Sequence, residues 1–304
     1  MTARNSATKG SIDADRKNFG RWALAPSLIV LFLVAGLPAL YLLAMSLTPF
    51  QLINPGSSSD FSAPLRNYRL LPADPRFVNS LWVQAKLSFW GVLFQVFLGM
   101  LLALLLNVHS RFVEFARTFF LIPMVLPPIV VAVIWKLIYT PDISPLYYAA
   151  HLLNFTMPSL TSSVDFALTA IIVADTWEWL PFTFLMVLAA LQTIPDEYSE
   201  AALVDGANPL QIFFYVTLPF ITPILVISGM FRLIDSVKAF PLIFLLTSGG
   251  PGSVTEVTNY YAYLLAFDFN EIGYSSAVTV VMLLLVLAVS FGVIWMGRRR
   301  EAMV

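Results

Sequence analysis

The chain has 304 residues, 59% of them hydrophobic and only 12% charged, with a mean hydropathy of +0.80. A soluble domain carries about 25% charged residues, so this composition belongs to a lipid bilayer. A net charge of −1 gives no attraction to nucleic acid, and the absence of cysteine removes disulfides and thiolate metal sites.

Residues 1–21 are polar, carry Arg4, Lys9, Arg16, Lys17 and Arg21, and read as a partly disordered N-terminal tail. The apolar run 22–47 is longer than the core of a cleaved leader, which is about 7–15 residues, and it lacks a small-residue cleavage site. It reads as a retained membrane helix. Five further stretches meet the requirement of about 20 apolar residues, at 87–108, 119–139, 167–191, 220–246 and 277–296. The sequence thus predicts an all-α polytopic membrane protein with six transmembrane helices. With the tail inside, the inner segments hold ten basic residues, including Arg111, Arg117, Arg298, Arg299 and Arg300. The outer segments hold three, Arg66, Arg69 and Arg76. That bias predicts that both termini are cytoplasmic. No linker or internal repeat divides the chain, so residues 22–300 form one domain, followed by a short tail at 301–304.

Pro123, Pro127 and Pro128 predict a kink in the third span, and Pro181 a break in the fourth. The fourth span also holds Asp175 and Glu178 among Trp177, Trp179, Phe182 and Phe184; the fifth holds Arg232, Asp235 and Lys238. Each charge costs about 2.5–3.5 kcal/mol at a membrane helix centre, so these groups face a bundle interior, a wet cavity or one another. Two readings stand side by side. One is an internal ion pair, Arg232 with Asp235 along its own helix or with Asp175 across to the next. The other is a polar translocation path, for which Arg232, Ser236 and Ala239 fall on one helical face. An arginine there would suit an anionic solute, while aromatic rings and carboxylates suit a sugar. Packed tryptophans near an interface are the plainer account of the aromatic residues.

Residues 195–219 are the polar stretch between the fourth and fifth spans. Pro195 and Asp196 start a helix, Gly206 ends it, and Asn208 with Gln211 forms a capping box for a second helix that Pro219 closes. The stretch has no Lys or Arg and carries Asp196, Glu197, Glu200 and Asp205. Anionic headgroups would repel such a loop on the inner side, which points to a protein partner that supplies positive charge. An amphipathic loop resting on lipid is the alternative.

Glu200-Ala201-Ala202, followed by Asp205-Gly206-Ala207 and Leu218-Pro219, resembles the EAA loop of membrane subunits of bacterial ABC importers. Leu246-Thr247-Ser248-Gly249-Gly250-Pro251, with Thr255 beyond, resembles the sugar-importer branch of that family. The resemblance covers 22–300 and implies a type I importer (MetI-like) permease fold in a bacterial inner membrane. It gives Glu200, Ala201, Ala202, Asp205 and Gly206 the coupling role towards an ATPase. It places the face of Arg232, Ser236 and Ala239 on the substrate path, to which the intramembrane charges and aromatic rings add Asp235, Asp175, Trp177 and Glu178 as candidates. It makes Gly249, Gly250 and Pro251 an outer contact for a substrate-binding protein. The implied partners are two ATPase subunits, a second homologous permease, and a periplasmic or lipid-anchored binding protein. The implied cargo is a glycoside, polyol or anionic sugar.

The chain has no G-x-x-x-x-G-K-[ST] sequence, so ATP and Mg would sit on the partner ATPases and none on this chain. His109 and His151 fall in loops on opposite sides, which rules out a shared metal site or dyad. Two rivals to an ATP-driven importer remain. An ion-coupled secondary transporter would use Asp175, Glu178 and Asp235 but lacks the expected inverted repeat. An intramembrane enzyme lacks a nucleophile with its base.

Overall fold

The computed structural model describes residues 24–108 and 110–301; the predicted tail at 1–21, His109 and residues 302–304 lie outside them. Among the described residues the chain is helical, and the only β pairing is an isolated bridge between Gln51 and Asn54. The first span, α1, runs Leu24–Ser46, with a π-type turn at Phe32–Gly36. Its apolar side chains are exposed along most of its length, and only its end, near Met45 and Ser46, is buried.

A short helix, α2 (Arg66–Leu70), leads to α3, Pro75–Leu105, which begins twelve residues before the predicted span. The extension has a local cause. Asp74 caps the helix by accepting from the N–H groups of Arg76 and Phe77, and Pro75 sits at the first position. Along α3 the buried residues Gln84, Ser88, Gly91, Gln95, Gly99 and Ala103 recur every three or four positions. They make one stripe of small and amide side chains.

The third predicted span is broken rather than kinked. Helix α4 (Arg111–Val125) and helix α5 (Pro128–Tyr139) meet at an angle of 104° between Arg117–Val125 and Pro128–Tyr139. Leu126 is extended because it precedes a proline, and Pro128 then starts a new helix with its missing N–H at no cost. Among the described residues, five helices are long and apolar enough to cross a membrane alone, and this bent pair makes a sixth candidate.

After α6 (Pro145–Leu152), the fourth span α7 occupies Ala167–Leu191, as expected, but Pro181 does not break it. Helices α3 and α7 are in close contact. A Cβ on Gly99 would lie 2.8 Å from the Thr183 Cβ, so that residue sets how near the two backbones come.

Helix α8 (Asp196–Val204) ends in a Schellman arrangement: Ala207 N–H donates to Ala202 O at 2.9 Å and Gly206 N–H to Leu203 O at 3.0 Å. Gly206 has φ +81°, and α9 (Pro209–Ile212) then starts with the predicted capping box between Asn208 and Gln211. Pro219 does not close this piece. A π-type turn at Phe213–Thr217, in which Leu218 N–H donates to Phe213 O, carries α9 straight into α10 (Leu218–Ser236). The wider turn removes the i→i−4 bond that Pro219 cannot make.

The fifth predicted span also breaks, between α10 and α11 (Phe240–Leu246), at Val237–Ala239. Helix α12 (Thr258–Tyr263) and the long α13 (Ile272–Glu301) complete the chain. Three apolar clusters hold the bundle. Val83, Leu87, Val131, Ile171 and Ile243 form the largest, Phe77, Tyr261, Leu265 and Val278 a second, and Ala103, Phe184, Val187 and Ile221 the third.

Candidate functional site

Two polar regions stand out: a buried cluster where α3, α7 and α10 meet, and the exposed helix pair α8–α9. In the cluster, Gln95 is fully buried and bridges two charges. Its Nε2 donates to Asp175 Oδ2 at 2.7 Å, and its Oε1 accepts from Arg232 Nε at 2.8 Å. Arg232 also donates through Nη1 to Asp235 Oδ2 at 2.6 Å, and its Nη2 lies 3.7 Å from Asp175 Oδ1. Trp179 covers the guanidinium face, 4.3 Å from ring centroid to Cζ. Both pairings of Arg232 weighed from the sequence are therefore present together. Ser236 Oγ donates to Ser88 Oγ at 2.7 Å, and Gln84 Nε2 donates to Ser88 Oγ and to the Ser236 carbonyl.

Glu178 lies in the same region, one helical turn from Asp175, and is only 2% exposed. Its Oε1 has no hydrogen-bond partner. Two of the residues expected beside it are elsewhere. Trp177 is on another face of α7, where it packs edge-on against Trp135 and lines a lateral cleft of about 700 Å³ with Trp90 and Phe94. Ala239 follows the end of α10 and has ψ +61°, so the helical face shared by Arg232 and Ser236 does not continue to it. It packs instead against the largest apolar cluster.

The helix pair is open. Glu200, Ala201, Asp205 and Gly206 are exposed and Ala202 is half-buried. Apolar side chains stand out beside them, with Leu203, Leu210 and Tyr215 exposed and Val204 87% exposed. A Cβ on Gly206 would meet nothing within 4 Å, so its positive φ alone explains the glycine.

At the other end of the bundle, Gly249 is buried with φ +80°, and a Cβ there would lie 2.8 Å from Tyr260 Cε1. The Gly250–Pro251 peptide is cis, and Thr255 Oγ1 ties the turn to Thr247 Oγ1 and Gly250 O at 2.8 Å each. Sequence reading missed the ion pair beneath this turn. Arg76 Nε and Nη2 each donate to buried Glu256 at 2.7 Å. Asp74 accepts from the hydroxyls of Tyr261 at 2.6 Å and Tyr274 at 2.8 Å. Burial raises the Asp74 pKa, but those hydrogen bonds outweigh it and hold the carboxyl below its usual range.

This arrangement, a polytopic helical bundle with a capped helix pair projecting between two of its spans, has the architecture of a membrane permease. The fold matches a chain of a bacterial ABC transporter involved in import of the acidic polysaccharide alginate, with a TM-score of 0.81 at 21% identity over 96% of this chain and 99% of that one. The chain belongs to the family of binding-protein-dependent transport system inner membrane components, whose model matches residues 95–301. It is an ABC transporter permease of the inner membrane. A probable ABC transporter permease protein of Sinorhizobium fredii is 36% identical over 97% of this chain and 96% of its own length. The trehalose/maltose transport system permease protein MalF of Thermococcus litoralis is 34% identical, covering 78% of this chain and 80% of its own. The sulfoquinovosyl glycerol transport system permease protein SmoG of Agrobacterium fabrum is 30% identical, covering 92% and 94%.

Proposed function

We propose that this permease carries a sugar or sugar derivative inward, driven by ATP that two separate ATPase subunits bind and hydrolyse. The observation that carries the reading is the α8–α9 pair. Glu200, Asp205, Leu203, Val204 and Leu210 stand exposed on it, and its end caps hold a defined shape. Glu200 meets a basic groove on the ATPase, Ala201 and Ala202 let it approach closely, and Gly206 sets the bend. Nucleotide binding then biases the bundle between inward-open and outward-open states through this contact. The sugar class is supported by the relatives whose names specify trehalose/maltose and sulfoquinovosyl glycerol.

A second homologous permease completes the path beside Arg232, Asp235 and Ser236, and a substrate-binding protein docks near Gly249–Pro251 on the outer side. Both termini then lie in the cytoplasm. The ion-coupled alternative is disfavoured because Asp175 and Asp235 are both already engaged by Arg232. Uptake into proteoliposomes holding the complete complex tests the proposal. Sugar accumulation that requires both ATP and the ATPase subunits is the expected result; accumulation on an ion gradient without them would refute it.

A further inference from the structure

Under the proposed function, the outer turn 247–256 is where a binding protein bears on the permease. Its own chain is a poor route from there to the buried cluster. Back along the sequence, α11 is separated from α10 by the break at Val237–Ala239, where Ala239 has ψ +61°. A non-helical joint of this kind absorbs motion rather than passing it on. Arg232 lies on the far side of that break.

The turn is bound instead to the first turns of α3. Arg76 meets Glu256 with its guanidinium fork, both bonds at 2.7 Å, and Glu256 is 1% exposed. Two parallel bonds between charged groups fix orientation as well as distance. The rings of Tyr261 and Phe269, each 5.5 Å from Arg76 Cζ, hold the guanidinium further. Asn79 Nδ2, on the same stretch of α3, donates to Ser253 O at 2.9 Å. Just beyond the turn, Tyr261 on α12 donates to Asp74, the cap of α3. From Arg76 the helix continues without a break to Gln95, about five turns further along. There Gln95 bridges Asp175 on α7 and Arg232 on α10.

We infer that Arg76 is a positioning residue for transport. Through Glu256 it fastens the outer turn to α3, so that a load placed on the turn by the substrate-binding protein moves Gln95 and with it the contact between α7 and α10. The inference rests on the reading of this turn as the docking contact, and it adds the route by which docking is felt inside the bundle. Breaking the pair leaves docking intact and separates it from the cluster.

The test uses the complete complex in lipid nanodiscs, with ATP hydrolysis measured before and after addition of excess binding protein as purified. Arg76→Met with Glu256→Met removes the pair while leaving no buried charge alone. The expected result is a loss of stimulation by the binding protein of at least about fivefold, the lower end of typical coupling between sites, with its affinity for the complex and the melting temperature unchanged. Arg76→Lys, which keeps the charge and loses the fork, is expected to fall between the double variant and the wild type. Full stimulation in the double variant overturns the inference. So does a loss explained by weaker binding, which would make the pair part of the docking surface. If the double variant fails to assemble, spin labels on Val78→Cys and Val254→Cys in the otherwise cysteine-free chain decide the matter. A separation that is the same without nucleotide and with ATP supports the rigid link, and one that changes overturns it. A wild-type complex whose hydrolysis the binding protein does not stimulate overturns the docking reading and the inference with it.

Discussion

The buried cluster and the exposed helix pair are both polar departures from an apolar chain, yet they satisfy their polar groups in opposite ways. Around Arg232, three helices supply Gln95, Asp175, Asp235 and Trp179, and nearly every donor finds an acceptor inside the molecule. Around Glu200 most side chains are exposed, Tyr198 touches the bundle through the Phe220 ring at 5.2 Å, and hydrogen bonds cap and bend the backbone. A group left unpaired in a membrane interior is expensive, so the cluster must complete itself during folding. A surface loop faces no such demand and can hold its contacts for another protein. One region is therefore expected to govern stability and the other coupling.

Substitutions can break that division. The largest effect is expected for Arg232→Leu, which strands Asp175; removing one partner of a buried pair costs about 3–5 kcal/mol. It should appear as a lower melting temperature and yield of the purified chain, and Arg232→Leu with Asp175→Leu should recover part of the loss. An additive double variant would mean that the two residues do not act as a pair. Next comes Gly99→Leu, which forces α3 away from Thr183 and should cost about 1–3 kcal/mol by overpacking. A crystal or cryo-EM structure of that variant with unchanged helix spacing would contradict the assigned role.

The remaining two belong to the helix pair and should spare the bundle. Gly206→Val puts a branched side chain at φ +81° in open space, a backbone cost of about 1–2 kcal/mol. ATP-driven uptake should fall sharply while the melting temperature of the membrane domain holds. Asn208→Ala removes one cap, about 1 kcal/mol, and should slow uptake by less than the glycine variant does. If either lowered bundle stability as far as Gly99→Leu, the separation of the two regions would be wrong.

Local signals in the sequence located much of this architecture and missed what depends on contact across helices. The fourth span, the Gly206 bend and the Asn208–Gln211 box are written in neighbouring residues, and the structure has all three where expected. Pro181 and Pro219 were misleading because a helix can run through a proline when a widened turn or burial absorbs the missing bond. Gln95 escaped notice because one amide in an apolar run says nothing about its partners. Its signal was the recurrence of Gln84, Ser88, Gly91, Gln95 and Gly99 at helical spacing. Likewise, the Arg76–Glu256 pair joins residues 180 positions apart, beyond the reach of any local pattern.

The central claim is that α8–α9 is the contact through which ATP hydrolysis drives the permease. A photoreactive amino acid at Val204, which is 87% exposed, tests it most directly in the assembled, transport-competent complex. The account predicts an adduct with the ATPase subunit whose yield changes between the nucleotide-free and ATP-bound states. Adducts with lipid alone, in a complex that still accumulates sugar, would contradict it.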